Sequence, residues 1–118
     1  MPERVLIVDD HAGFRRVARR LLQDIGRQVV GEAGTGAEAL SEARRLKPDL
    51  VLLDIQLPDV DGLAVAASLS SQPEAPAVVL VSSRDATDYG PRLHDCGALG
   101  FIAKADLSAE SLTAVLEA

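Results

Sequence analysis

Five short apolar segments, rich in Val, Leu and Ile, alternate with helix-forming segments along this chain of 118 residues. The apolar segments lie at residues 5–8, 29–30, 50–53, 78–81 and 99–102, and the second belongs to a strand expected near residues 28–33. Short apolar runs without polar alternation indicate strands that are buried on both faces. Their regular alternation with helices predicts an α/β fold, in which helices cover both sides of a parallel sheet. For a doubly wound, five-stranded parallel sheet we expect the flavodoxin-like strand order 2-1-3-4-5.

The helices are marked by apolar periodicity and by residues that start or stop a helix. The first helix is expected to bury one face, formed by Phe14, Val17, Ala18, Leu21, Leu22 and Ile25. Gly90 and Pro91 disturb the fourth helix, so it should start late, near Asp88, and be short. Ser108 is expected to be the N-cap of the last helix.

Composition supports one compact domain, residues 1–118, and argues against several classes of protein. Hydrophobic residues make up 47% of the sequence, which is enough for a core without disulfides, and Cys96 is the one cysteine. The sequence has no signal-peptide pattern and no long apolar stretch, which predicts a cytoplasmic protein without a membrane span. The net charge is −6. An acidic domain repels the phosphate backbone, so this chain by itself should not bind DNA.

Polar residues follow the apolar runs at the points where the strands are expected to end. Asp9 and Asp10 follow the first strand, Asp54 follows the third and Ser82 the fourth, while Lys104 lies just beyond the fifth. In a doubly wound sheet, ligands bind beyond the carboxyl ends of the strands, where the strand order reverses. We therefore expect three carboxylates, a hydroxyl and an ammonium group to converge at one edge of the sheet.

These residue types predict phosphoryl chemistry that is assisted by a metal ion. Crowded carboxylates repel one another unless a cation joins them, and oxygen ligands without His or Cys suit Mg²⁺, or Mn²⁺, rather than Zn²⁺. A lysine opposite the metal can hold phosphate oxygens as a point charge. An aspartate in such a position can attack phosphorus and form an aspartyl phosphate.

Four strings of the sequence carry a resemblance to a known family. VLIVDDH, VLLDIQLPDVDG, VLVSS and GFIAK match, in order and spacing, the signature of the CheY-like response-regulator receivers of bacterial two-component systems. The match covers essentially the whole chain. VDDHAGF and KAD are most similar to the NarL-type class, whose receivers usually precede a LuxR-type helix-turn-helix.

The resemblance implies a role for each residue of these strings. The implied metal ligands are Asp9, in a supporting role, Asp10, Asp54 and the backbone carbonyl of Gln56. Asp54 would also accept the phosphoryl group, which Lys104 would contact. Ser82 and Phe101 would be the switch hydroxyl and the switch aromatic residue. Ala105 replaces a proline that often follows the lysine, so the isomer of the Lys104–Ala105 peptide stays open at this stage.

The resemblance also implies a signalling module, with no enzymatic activity beyond the phosphorylation and dephosphorylation of its own Asp54. A sensor histidine kinase would supply the phosphoryl group, and the first helix is where kinases dock in this family. The phosphorylated receiver would switch conformation and could form a homodimer. Control of transcription would pass through a C-terminal DNA-binding domain absent from this chain, or through a partner protein.

Simpler explanations exist for several of these residues. Asp10 could cap the first helix, and Asp59 and Asp61 could be solvated acids of a loop. The arginines Arg15, Arg16, Arg19 and Arg20 could form only a solvated helix face. His11 lies at the start of a helix and is not expected to carry a phosphoryl group.

Two rival functions remain. A phosphatase of the haloacid dehalogenase type also uses Asp, Mg²⁺ and Lys, but it needs a second Asp two residues after the nucleophile of strand one. Asp9 and Asp10 are adjacent, so that spacing fails. A pseudo-receiver that acts without phosphorylation would lack some of the acids or the lysine, and this chain has all of them.

Overall fold

The computed structural model describes residues 3–117, in which five strands alternate with five α-helices. The strands are β1 (Arg4–Val8), β2 (Gln28–Ala33), β3 (Leu50–Asp54), β4 (Ala77–Ser82) and β5 (Gly100–Ala103). The helices are α1 (Ala12–Asp24), α2 (Gly36–Leu46), α3 (Gly62–Ser70), α4 (Arg92–Asp95) and α5 (Ala109–Leu116). None of the helices in this described range is long and apolar enough to cross a membrane.

The strands form one parallel sheet with the order β2-β1-β3-β4-β5, which confirms the predicted topology. The register aligns the carboxyl ends of the three central strands and β5. Val8 pairs with Leu53, and Asp54 pairs with Val81. Ser82, the last residue of β4, pairs with Ala103 of β5. The residues that follow these strands therefore meet at one edge of the sheet.

Each face of the sheet has its own hydrophobic core, as expected for strands that are buried on both sides. Successive residues of β1 alternate between the two cores. Val5 and Ile7 pack with residues of α1 and α5, whereas Leu6 and Val8 pack with residues of α2 and α3. Burial of both strand faces fixes the positions of the strand ends, and with them the geometry of the loops that follow.

Two predictions about the helices need correction. Val17 of α1 is 55% exposed, because the stripe that meets the sheet is centred on Ala18 and Leu22 and leaves Val17 at its edge. The fourth α-helix begins at Arg92, not near Asp88, although it is short as predicted. Gly90 has a φ of +61°, a left-handed conformation that cannot continue a helix. The residues before Gly90 therefore form only a 3₁₀ turn (Ala86–Asp88), and α4 begins after it.

Two other local features are settled. Ser108 is the N-cap of α5, as predicted, and its hydroxyl accepts a hydrogen bond from the backbone N–H of Ser111. The Lys104–Ala105 peptide is trans, like the other peptide bonds of the described residues. Lys104 itself begins a 3₁₀ turn (Lys104–Asp106) directly after β5, which brings its side chain to the end of the sheet.

Candidate functional site

Two acids follow β1, and the chain holds them in different surroundings. Asp9 is completely buried and Asp10 is exposed. The Asp9 Oδ1 atom accepts a hydrogen bond from the backbone N–H of His11 at 2.8 Å. The N-cap of α1 is His11, so the alternative in which Asp10 caps this helix is wrong. A carboxylate oxygen of Asp10 lies within 4.8 Å of ligand atoms of Asp9 and Asp54, at the edge of the sheet where those acids lie.

Asp54 is the last residue of β3 and is 2% exposed. Its Oδ1 atom accepts a hydrogen bond from the backbone N–H of Gln56 at 3.0 Å, which fixes the orientation of the carboxylate. The loop after β3 folds back at Gly62, whose N–H donates to the Ile55 carbonyl at 2.7 Å. A Cβ atom on Gly62 would lie 2.3 Å from the carbonyl oxygen of Asp54, so only glycine fits this position.

Lys104 connects the two buried carboxylates. Its Nζ atom lies 2.6 Å from Asp9 Oδ2, as an ion pair, and 3.3 Å from Asp54 Oδ2. The ammonium group also sits over the ring of Phe14, 4.4 Å from its centroid. A cation over an aromatic face is attracted by the electrons of the ring. These contacts hold the ammonium group beside the carboxylate of Asp54, where it can meet an anionic ligand.

The electrostatics of this edge favour the binding of another cation. Burial raises the pKa of Asp54, and the neighbouring charge of Asp9 raises it further. Burial works to lower the pKa of Lys104, but the carboxylates of Asp9 and Asp54 outweigh it and raise that pKa. One ammonium group therefore does not neutralise this set of acids, and a divalent cation could relieve the remaining repulsion.

A set of potential metal ligands lies at this point. One ligand atom from each of Asp9, Asp10, His11 and Asp54 can be chosen so that all lie within 4.8 Å of one another. The acids were predicted to converge, and the geometry agrees. His11 was rejected in the sequence only as a carrier of a phosphoryl group, and its Nδ1 atom lies 3.1 Å from Asp9 Oδ1 and 3.0 Å from Asp10 Oδ1. The carboxylate oxygens fit a hard cation such as Mg²⁺.

Ser82 ends β4, one residue beyond the pairing partner of Asp54, and its side chain is completely buried. Its Oγ atom accepts a hydrogen bond from the backbone N–H of Arg84 at 3.0 Å and lies 2.6 Å from the hydroxyl of Tyr89. Phe101 of β5 is partly buried, with its ring centroid 6.4 Å from that of Tyr89. The two predicted switch residues are thus connected through Tyr89.

Sequence reasoning missed four residues that support this site. Tyr89 carried no signal, because a lone aromatic residue in a loop has no periodicity. Asp59 was taken for a solvated acid, but its carboxylate accepts hydrogen bonds from the backbone N–H groups of Gly36 and Ala37, which lowers its pKa. Asp61 likewise accepts a hydrogen bond from the N–H of Leu63 and caps α3.

Arg15 is the fourth of these residues. It was grouped with a solvated helix face, but its Nη1 atom donates to the carbonyl oxygen of Asp9 at 2.6 Å. Its Nε atom donates to Glu32 of β2 at 2.9 Å, and Arg19 also bonds Glu32. Burial works to raise the pKa of Glu32, but the hydrogen bonds from Arg19 and Arg15 outweigh it and lower that pKa. Through these bonds, Arg15 connects α1 and β2 to the backbone of Asp9.

Comparison with known proteins places this arrangement in a family. The family model of the response regulator receiver domain matches residues 5–117. The chain belongs to the response regulator receiver domain family.

Individual relatives of this receiver domain agree with that assignment. It is 43% identical over 114 residues to the response regulator GacA of Pseudomonas viridiflava, covering 95% of this chain and 53% of GacA. It is 41% identical over 106 residues to the transcriptional regulatory protein PdtaR of Mycobacterium tuberculosis, covering 88% of this chain and 50% of PdtaR. This receiver thus spans about half the length of these curated relatives.

A solved structure shows the same likeness. The signal receiver domain of the Mycobacterium tuberculosis response regulator assigned as NarL superposes on this receiver with a TM-score of 0.87 and 38% identity. The superposition covers 98% of this chain and 94% of that one. The predicted CheY-like fold and the NarL-type resemblance are both confirmed, and the receiver belongs to the response regulators of two-component systems.

Proposed function

We propose that this receiver accepts one phosphoryl group on Asp54 from the phosphohistidine of a sensor kinase, in a reaction that requires Mg²⁺. The observation that carries the proposal is the position of Asp54, buried at the end of β3 within reach of both Asp9 and Lys104. Burial removes water that would compete for phosphorus, and the ammonium group supplies charge where the transferred group becomes negative.

The transfer can be followed bond by bond. A carboxylate oxygen of Asp54 attacks phosphorus and forms an O–P bond, while the N–P bond of the phosphoimidazole breaks and its electron pair stays on the imidazole nitrogen. The backbone N–H of Gln56 holds Oδ1 of Asp54, so the carboxylate is oriented before the donor arrives. Lys104, which lies between Asp9 and Asp54, can pair with the phosphoryl oxygens without leaving the site.

The metal would be held by Asp10 and Asp54, with Asp9 in support and the backbone carbonyl of Gln56 completing the shell. When bound, Mg²⁺ would neutralise phosphoryl oxygens and relieve the repulsion among the acids. Mn²⁺ has the same preference for carboxylate and carbonyl oxygens and could replace it. The crowding of ligand atoms from Asp9, Asp10 and Asp54 at one point supports this assignment.

The signal would leave the site through Ser82 and Phe101. Phosphorylation adds charge at one edge of the sheet, and a distant effect requires an element with two arrangements. The output would be control of transcription through a DNA-binding domain beyond this chain or through a partner protein, with a homodimer as one route. The similarity to GacA and PdtaR supports that output. In this proposal the receiver is cytoplasmic and turns over no external substrate.

Phosphorylation by acetyl phosphate tests the acceptor. Mass spectrometry should show one phosphoryl adduct on the wild type in Mg²⁺, none on Asp54→Asn, and an undiminished adduct on Asp24→Asn, which removes an exposed carboxylate of α1. Excess chelator should abolish labelling of the wild type. Labelling that survives Asp54→Asn would contradict the assignment. Steady turnover of an external phosphomonoester would favour a phosphatase instead.

A further inference from the structure

The hydrogen bonds of Ser82 have a direction that can be worked out. The Oγ atom has hydrogen-bond contacts with two groups of the described residues, the N–H of Arg84 and the hydroxyl of Tyr89. The first group is a donor, so Ser82 accepts from it. A serine hydroxyl has one proton to give, and a buried donor without an acceptor destabilises the structure.

The proton of Ser82 therefore goes to Tyr89. If Tyr89 were the donor, the proton of the fully buried Ser82 would lack an acceptor among these contacts. Tyr89 is only partly buried, so its own O–H can turn toward water without that cost. The assignment with the lower cost has Ser82 donating to the Tyr89 oxygen across 2.6 Å.

This assignment conflicts with the role of Ser82 in the phosphorylated state. Phosphoryl oxygens are strong acceptors, so Ser82 can bond to them only by donating its proton. In the unphosphorylated protein, Ser82 already donates that proton to the Tyr89 oxygen. Ser82 must therefore give up Tyr89 before it can bond to a phosphoryl group on Asp54.

Release of Tyr89 from Ser82 would affect both Phe101 and the chain segment that carries Tyr89. Its ring is tilted 57° against that of Phe101, with the centroids 6.4 Å apart, and Gly90 and Pro91 follow it directly. The hydrogen bond thus anchors the connection between β4 and α4 to the end of the sheet. Phe101 has no hydroxyl, so the hydroxyl that reaches Ser82 comes from this connection and not from β5.

We propose that Tyr89 is a positioning residue, which holds the Ser82 hydroxyl in its unphosphorylated arrangement and opposes phosphorylation of Asp54. The inference rests on the proposed function, because it assumes that Asp54 takes a phosphoryl group. Loss of the Tyr89 hydroxyl should favour the phosphorylated state, and phosphorylation should free the Tyr89 side chain together with the connection that carries it.

Binding of beryllofluoride, a phosphoryl mimic, in Mg²⁺ tests the inference. Tyr89→Phe keeps the ring against Phe101 and removes only the hydroxyl. Since a net hydrogen bond is worth about 1 kcal/mol, this variant should bind the mimic about five-fold more tightly than the wild type. Thr87→Val, which removes an exposed hydroxyl from the same connection, should bind like the wild type.

A second readout follows the hydrogen bond itself. Tyr89 is the one tyrosine of the chain, so ring-labelled tyrosine gives a single set of NMR signals. Beryllofluoride should move these signals in the wild type toward their position in unliganded Ser82→Ala, where the bond is also absent. A structural role in packing alone would not produce that coincidence.

The outcomes separate the inference from the function beneath it. Suppose that the wild type binds the mimic. If Tyr89→Phe then binds it equally or more weakly, or if the Tyr89 signals do not move, the inference is wrong and the proposed function stands. Failure of all of these proteins to bind the mimic in Mg²⁺ would overturn the proposed function, and the inference with it.

Discussion

At the scale of single residues, Gly62 decides whether the acceptor can be positioned at all. A side chain there would meet the carbonyl oxygen of Asp54 at 2.3 Å and the Cα atom of Ile55 at 2.6 Å. Both are backbone atoms and cannot turn away as a flexible side chain would. The close approach lets the loop after β3 return to the sheet, where the Gly62 N–H meets the Ile55 carbonyl.

Gly62→Ala should therefore destabilise the protein and displace the acceptor. We expect the free energy of unfolding to fall by about 2–3 kcal/mol, as for other overpacked sites, and phosphorylation of Asp54 to fall as well. Urea unfolding and acetyl phosphate labelling measure the two effects. Gly13→Ala in α1 is the matched control, since a Cβ atom there meets nothing within 4 Å and alanine favours helix. Equal stability of both variants would contradict the argument.

Arg15 acts on the site through the backbone of Asp9. Outer contacts that orient metal ligands typically change metal affinity by about ten-fold or more. Arg15→Met keeps an unbranched apolar stem but loses the guanidinium group, and with it the bonds to the Asp9 carbonyl and to Glu32. We expect Mg²⁺ affinity to fall by roughly ten-fold in calorimetric titration, while Arg16→Met, at an exposed neighbouring position, should leave it unchanged. An unaltered affinity in Arg15→Met would remove Arg15 from the site.

At the scale of secondary structure, the region around α4 differs from the rest of the fold. The helix has a single turn, Arg92–Asp95, without a buried residue, and the 3₁₀ turn before it is also exposed. The strands β3 and β4 are buried almost throughout. Segments with few buried contacts and exposed backbone hydrogen bonds open most easily.

Amide exchange should reveal this contrast and its control by the site. Residues 84–97 should exchange faster than residues 50–54, and beryllofluoride with Mg²⁺ should change exchange across residues 82–106. The same addition to Asp54→Asn serves as the control and should leave exchange unaltered. Exchange in residues 84–97 as slow as in β3, or no response to the mimic in the wild type, would contradict this account of the segment around α4.

At the scale of the whole molecule, the acidic edge opposes folding. The pKa of Asp54 is raised by burial and then by Asp9, whereas an aspartate in an unfolded chain has a pKa of about 3.9. A folded-state pKa above the unfolded value gives relative stability at low pH, which is lost as the pH rises through the folded-state pKa. At neutral pH the ionised Asp54 therefore lowers the stability of the fold, which is a cost of keeping a nucleophile buried.

Asp54→Asn should accordingly be more stable than the wild type at pH 7, because the variant has no buried carboxylate to ionise. The difference should shrink as the pH falls through the folded-state pKa and vanish below about pH 3, where Asp54 is protonated in both states. Thermal unfolding across pH measures it, with Asp24→Asn as the exposed control. Mg²⁺ should stabilise the wild type more than Asp54→Asn. A less stable Asp54→Asn at pH 7 would show that Lys104 more than offsets the burial of Asp54.

The sequence by itself determined the architecture and the residues that meet at the site. Strands buried on both faces leave apolar runs that can be recognised locally, and the strand order places the ends of β1, β3 and β4 at one edge. Because Asp9, Asp54 and Ser82 directly end or follow those runs, their convergence follows from the topology. The start of α4 was misplaced, since a left-handed Gly90 acts on backbone direction rather than on apolar periodicity.

Only the tertiary structure decided which side chains support the site. Asp59 caps α2 from 23 residues away, and Arg15 turns from its helix toward the Asp9 carbonyl. Tyr89 reaches back across a loop to Ser82, and Lys104 lies between two carboxylates instead of in solvent. These contacts depend on the directions of long side chains and on the paths of loops. Neither leaves a periodic signal in the sequence, because both are fixed by neighbours that are distant along the chain.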